Sequence, residues 1–128
     1  MVVENTFYFS INAQFRNDYD VSKLEKIFGI KARKLIYLKD SLGPIKTAKF
    51  LFSTREFEDV YTDKLFAEFV DKFYKKATQI REEIEANSGS LNFCIVFKNL
   101  VKKPTLFMSN TTLTQLSEMG ASYDIDFI

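Results

Sequence analysis

The stretch that decides the fold is residues 62–84, which read TDKLFAEFVDKFYKKATQIREEI. Apolar residues recur along it at helical spacings of three and four, at Phe66, Phe69, Val70, Phe73, Ala77, Ile80 and Ile84. This period predicts one continuous amphipathic helix with a single apolar stripe. At about 1.5 Å per residue, the helix would be on the order of 35 Å long, which is enough to cross a whole sheet.

Strands are predicted on both sides of this helix. Residues 6–15 and 91–98 alternate between apolar and polar side chains, a pattern that is typical of half-buried strands. Shorter strands are predicted at 34–39, 47–54, 105–109 and 122–128. In the last of these, the alternation predicts that Tyr123, Ile125 and Phe127 are buried.

Two short helices complete the predicted order of elements. Asp20 is placed to cap a helix that ends at Gly29, and Thr112 with Gln115 has the spacing of a capping box for a helix that ends at Gly120. The order is then β-α-β-β, the long helix, and β-β-α-β. Because the two ends carry similar helix boundaries, the order is compatible with an internal duplication.

We therefore expect a single α+β domain over residues 1–128. It would be a two-layer sandwich, in which a mostly antiparallel sheet of about six strands carries one long and two short helices on one face. A ferredoxin-like arrangement and an internally duplicated βαβ arrangement both fit this order. The opposite face of the sheet would be left for water or a partner.

The composition excludes several classes of function. The chain has no His and one Cys, which removes Ser-His and Cys-His catalysis and Cys/His zinc sites. Its 18 Lys and Arg against 17 Asp and Glu give a net charge of +1, so a nucleic-acid partner is not expected. None of the four glycines lies in a phosphate-binding loop motif. We predict no catalytic residue, no cofactor and no dedicated metal site.

The sequence also contains no continuous apolar stretch of the length that a spanning helix needs. We expect a cytoplasmic protein without a membrane partner. Cys94 lies in an apolar run, and with no activating base available it is interpreted as a small core or sheet residue.

Asp124 and Asp126 are the main candidate ligand-binding residues. They are two apart on a predicted strand, so both carboxylates would project from one face, about 7 Å apart at the backbone. If the first predicted strand (6–15) or the fourth (91–98) lies beside the last strand, Tyr8, Asn12 and Asn92 would join them. Together these residues would form a polar sheet face with an aromatic edge, able to bind a ligand or another protein.

The arrangement as a whole resembles a bacterial family known only as domain of unknown function 4279. The resemblance lies in the opening alternating strand, the short helix ending at Gly29, the strand around Phe50 and Phe52, and the closing run from Leu113 to Asp126. It implies a small α+β domain in a bacterial cytosol. The family has no established catalytic residues, so no site can be transferred from it.

Two functions remain open from the sequence. The first is a non-enzymatic protein-interaction module, which would form a homodimer or bind a partner, for example as an immunity-type protein that neutralises a toxin. The alternative is a small-molecule or divalent-metal binding domain, or a hydrolase, that uses Asp124 and Asp126. The alternative predicts a concave pocket near the last strand.

Overall fold

The protein is described from a computed structural model. The structure describes residues 6–16, 18–32, 34–40, 43–51, 57–58, 62–99 and 107–128. The strands are β1 (Thr6–Arg16), β2 (Lys34–Asp40), β3 (Gly43–Leu51), β4 (Phe57–Glu58), β5 (Ser90–Asn99) and β6 (Ala121–Phe127). The helices are α1 (Ser22–Phe28), α2 (Thr62–Tyr74), α3 (Ala77–Ala86) and α4 (Asn110–Glu118).

The sheet is mixed. Its strand order is β2-β3-β1-β5-β6, with β4 paired to the start of β1. The pairs β2–β3, β3–β1 and β1–β5 are antiparallel, whereas β5–β6 is parallel. Since α4 connects β5 to β6, these three elements form a βαβ unit. That unit makes β6 the strand at one edge.

Phenylalanine rings dominate the core between the helices and the sheet. One face of β1 and β5 is fully buried, and it meets the apolar stripe of α2 and α3. The Phe9 and Phe69 rings stack at 5.0 Å, and Phe73 contacts both Phe28 and Phe93 edge-on. Such stacked and edge-on pairs stabilise the core beyond the apolar area that they bury.

Both predicted short helices are present, but the N-cap of each differs from the prediction. α1 ends at Gly29, whose φ of 75° is the left-handed conformation that glycine adopts at low cost. Its N-cap is Val21 and not Asp20, although the Asp20 carboxylate accepts from the Ser22 N–H. α4 begins earlier than expected, because Ser109 is its cap and accepts from the Thr112 N–H. Residues 107–109 are therefore not a strand; the rest of the strand predicted at 105–109 lies outside the described residues.

The single long helix was wrong. The chain leaves helical geometry at Lys75 and Lys76, which separate α2 from α3. Lys76 has φ −112° and ψ 25°, and its N–H bonds to the Phe73 carbonyl in a tighter turn. After the break, α2 packs on α4, and α3 packs on both α1 and α4.

The predicted fold class is corrected in consequence. Side chains are described along most of three strands only, β1, β5 and β6. These three strands form a mixed sheet, whereas about six mostly antiparallel strands were expected. Four helices replace one long and two short ones. The antiparallel order β2-β3-β1-β5 is the ferredoxin-like one, and β6 is added to it as a parallel edge strand. An even internal duplication is not present, because β5 and β6 pair directly whereas β3 separates β1 from β2. The coarser class, a two-layer α+β fold, stands.

Two expectations about burial were also wrong. On the sheet face opposite the helices, Ser10, Cys94 and Val96 are at most 3% exposed, so the middle of that face is not open to solvent. On β6, Tyr123 and Phe127 are 38% and 55% exposed instead of buried. They lie beyond the full cover of the helices because β6 is the edge strand.

Candidate functional site

Strand register places the polar residues of β1, β5 and β6 side by side on the face away from the helices. Asn12 is opposite Asn92 and Ser10 is opposite Cys94 in the β1–β5 pair. In the β5–β6 pair, Cys94 is opposite Asp124. Because paired residues point to the same side of a sheet, the three strands present one continuous polar strip. We call this strip, which runs from Tyr8, Ser10 and Asn12 across Asn92 and Cys94 to Ser122, Asp124 and Asp126, the polar face.

Asn92 connects the middle of the polar face to its edge. Its amide Nδ2 donates to Asp124 Oδ2 at 3.1 Å, and its Oδ1 accepts from Ser122 Oγ at 3.0 Å. Asn92 therefore uses both ends of its amide toward β6. The result is that Asp124 is held in a fixed orientation, although the side chain itself is exposed.

Cys94 and Asp126 form the second cross-strand contact. The thiol Sγ donates to Asp126 Oδ2 at 3.6 Å. Burial, followed by the negative charge and the hydrogen bond of Asp126, raises the pKa of the Cys94 thiol to about 12. The thiol is therefore protonated at neutral pH, which agrees with a structural role and leaves no thiolate nucleophile.

Ser10 is a second buried residue of the polar face, beside Cys94. It is fully buried. It lies opposite Cys94, and its hydroxyl lowers the pKa of the thiol. This effect is smaller than the increases caused by burial and by Asp126. The geometry thus concentrates small polar groups at the centre of the strip and carboxylates at its edge.

The structure brings together most of the residues that the sequence singled out. Asn92 contacts Asp124 directly, Asn12 lies beside Asn92 by register, and Asp126 lies next to Cys94. Tyr8 is the exception, because it lies opposite Val96, toward the other end of β1. Sequence reasoning missed Ser10, Cys94 and Ser122 as members of this face. The alternation along each strand was the available signal, since it places all three on the same side as the residues that were singled out.

No described strand pairs with the outer edge of β6. Ile128 N–H bonds to the Phe97 carbonyl, and Phe127 is opposite Phe97 in the parallel register. Backbone groups of successive residues in a strand point to opposite sides, so the even-numbered residues of β6 bond to β5. The N–H and C=O groups of Tyr123, Ile125 and Phe127 then point away from the sheet, where no described strand pairs with them.

This edge has two chemically different sides. On the helix side lie Tyr123 and Phe127, whose rings contact Phe66 and Phe97 and are still partly exposed. On the other side lie the exposed carboxylates of Asp124 and Asp126. We call this combination, β6 with the two exposed rings and the two carboxylates, the β6 edge.

No ion pair to the carboxylates of the β6 edge is made by the residues that the structure describes. Within the described parts of the chain, the ion pair is Arg81 with Glu85 on α3, and neither Asp124 nor Asp126 takes part in one. The two charges are therefore available to a binding partner.

The described residues do not favour a metal centre or a ligand cavity at this place. Among them, no three His, Cys, Asp or Glu side chains are grouped so that they could hold a metal ion. An open groove of about 850 Å³ lies at the junction of α2 and α3, where it is lined by Lys75, Arg81 and Glu82, and a smaller one is lined by Arg16 and Tyr19. Neither is lined by the polar face.

Comparison with known proteins adds no further constraint. No family model, curated protein or solved structure matches the chain. Among the described helices, none is both long and apolar enough to cross a membrane.

Proposed function

We propose that this chain is a non-enzymatic protein-interaction module that binds another polypeptide strand along the β6 edge. The observation that carries the proposal is an edge strand with outward backbone donors and acceptors next to partly exposed aromatic rings. Extended peptides add to such edges by main-chain hydrogen bonds, and neighbouring side chains supply the selectivity.

The backbone of the β6 edge supports this proposal first. Tyr123, Ile125 and Phe127 each direct one donor and one acceptor outward. Natural edge strands are usually short, bulged or covered, since an exposed edge is a template for pairing. β6 is seven residues long, and its register with β5 shows no shift, so its edge is regular enough to accept a strand.

The exposed rings support it next. Phe127 is 55% exposed and stacks on the buried ring of Phe97 at 5.6 Å, so one of its faces is fixed by the core. The Tyr123 ring is tilted against the buried ring of Phe66, with 6.5 Å between the ring centroids. Aromatic rings that are already held in place lose little conformational entropy on binding, which makes them effective anchors at an interface.

Electrostatics and the absence of a nucleophile argue against catalysis at the same place. The Cys94 thiol is kept protonated by its raised pKa. The carboxylates of Asp124 and Asp126 are exposed and engaged by Asn92 and Cys94, with no third ligand among the described residues. The alternative of a metal-dependent hydrolase therefore has no specific observation in its favour.

The proposal also includes a cellular location, a family and a biological role. A cytoplasmic location is supported by the single, free and buried cysteine. Membership of domain of unknown function 4279 is supported by the sequence resemblance alone. An immunity-type role is one form that an interaction module of this size can take.

Amide hydrogen exchange on the β6 edge tests the proposal. The probe is a soluble designed β-hairpin whose free strand alternates threonine and valine. In the protein alone, the outward amides of Tyr123, Ile125 and Phe127 should exchange faster than the amides of Asp124 and Asp126, and the hairpin should slow the three outward ones.

A pair of variants isolates the backbone contribution. Tyr123→Ala removes the ring and keeps the N–H, whereas Tyr123→Pro also removes the outward N–H and leaves the β5–β6 ladder intact. Binding of the hairpin should be weaker for Tyr123→Pro than for Tyr123→Ala. If the hairpin protects no β6 amide at millimolar concentration, the proposed function is wrong.

A further inference from the structure

The charges of the β6 edge identify the kind of strand that it binds. We infer that the partner is a strand of a different protein with Lys or Arg at alternate positions and apolar residues between them, held by Asp124 and Asp126. The inference rests on the proposed function, and it adds the chemistry of the partner.

The geometry of an added strand leads to this pattern. A strand paired with β6 would place alternate side chains on the two sides of the sheet. On one side they would meet Asp124 and Asp126, which have no ion pair with any described residue. On the other side they would meet the exposed parts of Tyr123 and Phe127. Basic side chains complement the first side and apolar side chains the second.

The orientation of the carboxylates strengthens the match. Asn92 holds Asp124 at 3.1 Å, and the Cys94 thiol contacts Asp126 at 3.6 Å. Each contact engages one carboxylate oxygen, so the other oxygen of each side chain can accept from a cation. A carboxylate that is already oriented loses less side-chain entropy on forming a cross-strand ion pair.

Self-association through this edge is disfavoured by the same charges. In an antiparallel pair of two β6 strands, related by a two-fold axis normal to the sheet, the polar face of one copy continues into the polar face of the other. Residues that pair then lie on the same face, so the carboxylates of Asp124 and Asp126 are brought together with their own copies. Like charges opposite one another destabilise strand pairing. A basic strand meets no such repulsion.

Three hairpins test the inference. They share one scaffold, and the free strand alternates valine with lysine, with threonine or with glutamate. By fluorescence anisotropy at low salt, the lysine hairpin should bind roughly tenfold more tightly than the threonine hairpin, an effect of the size expected for two cross-strand ion pairs. The glutamate hairpin should bind most weakly, and added salt should reduce the differences.

Matched variants assign the effect to the two carboxylates. Asp124→Asn with Asp126→Asn should remove the preference for lysine and keep the binding of the threonine hairpin. Glu68→Gln with Glu82→Gln, two exposed residues on α2 and α3, changes the net charge equally and should keep the preference. Thermal unfolding checks that both double variants are folded.

The outcomes separate this inference from the proposed function. If all three hairpins protect the β6 amides with equal affinity, strand binding stands and the inference about charge is overturned. If the Glu68 and Glu82 variant loses the preference to the same extent, the effect is one of net charge, and the inference is again overturned. If light scattering shows a dimer that the Tyr123→Pro substitution dissolves, the partner is a second copy and the inference is wrong. If no hairpin protects the edge, both proposals fail.

Discussion

Cys94 and Asp126 contact one another across the parallel pair of β5 and β6, and one is buried while the other is exposed. The thiol is 1% exposed, and its sulfur lies 3.6 Å from the carboxylate Oδ2. A buried thiol beside a negative charge is doubly disfavoured as a thiolate, first by lost solvation and then by repulsion. This contact links the interior of the sheet to the charge on its edge.

Alkylation of Cys94 should be slow in the folded protein. With a thiol pKa of about 12, we expect iodoacetamide at pH 8 to react about 10³-fold more slowly than it does in urea, where the pKa is ordinary. Mass spectrometry of a labelling time course measures the rate. Asp126→Asn removes the nearby charge and should speed labelling, whereas Glu68→Gln on α2 should not. Equal rates in buffer and in urea would show that the thiol is not buried.

The same pKa predicts that the protein loses stability in alkali. In the unfolded chain Cys94 ionises near 9.0, and in the folded protein near 12. Between these values the unfolded state binds fewer protons, so the free energy of unfolding falls as pH rises, by up to about 1.4 kcal/mol per pH unit. Below pH 9 the contribution is fully present.

Cys94→Ser serves as the comparison for this alkaline loss, because serine does not titrate there. Other groups are common to both proteins, so the difference between the two urea unfolding free energies isolates the thiol. Between pH 8 and pH 10 the free energy of unfolding of the wild type should fall relative to that of Cys94→Ser. Parallel pH profiles would contradict the assignment.

Phe73 is a buried ring of the helix layer that contacts three other aromatic rings. It is 4% exposed and lies within 5.2 to 5.9 Å of the rings of Phe28, Phe69 and Phe93. Phe73→Ala should lower the free energy of unfolding by about 3 to 5 kcal/mol. Phe107, which is 71% exposed, is the matched control, and Phe107→Ala should change the unfolding midpoint in urea very little. Similar midpoints for the two variants would contradict the placement of the apolar stripe.

The strongest strands could be predicted because one physical constraint acts on each whole segment. β1 and β5 bury every second residue under the helices, so apolar and polar residues alternate along both strands. The apolar stripe of residues 62–84 was read correctly for the same reason, since Phe66, Val70, Phe73, Ile80 and Ile84 are buried.

The break between α2 and α3 could not be predicted from that stripe. Two helices whose apolar faces follow one another in phase give the same spacing as a single helix. Lys75 and Lys76 include no proline or glycine to mark the change. The break follows from tertiary packing: Lys76 Nζ donates to the Ile27 carbonyl at the end of α1, while Asp71 on α2 accepts from Gln115 on α4.

The sequence predicts the residues of the candidate site, but it does not predict which strands bring them together. Alternation places Asp124, Asn92 and Asn12 on one side of their strands, but only the strand order makes them neighbours, and no sequence signal specifies a parallel β5–β6 pair. Edge position was equally hidden. It is the reason that Tyr123 and Phe127 are exposed although their alternation is that of a buried face.

The contact between Tyr19 and Glu83 supplies a last test, of how α3 is held against the loop before α1. Tyr19 Oη donates to Glu83 Oε1 at 2.7 Å, and its ring stacks on Phe15 at 3.8 Å. Burial and then Glu83 raise the pKa of the Tyr19 hydroxyl, so it stays a donor throughout the neutral range. Tyr19→Phe keeps the stacking and should lower the free energy of unfolding in urea by about 1 to 2 kcal/mol, because a hydrogen bond to a carboxylate is lost.

Tyr74→Phe is the control. It removes a hydroxyl that donates to Glu118 at an exposed position and should leave stability little changed. A double-mutant cycle of Tyr19→Phe with Glu83→Gln should show coupling, and strict additivity of the two would mean that the contact does not stabilise the fold.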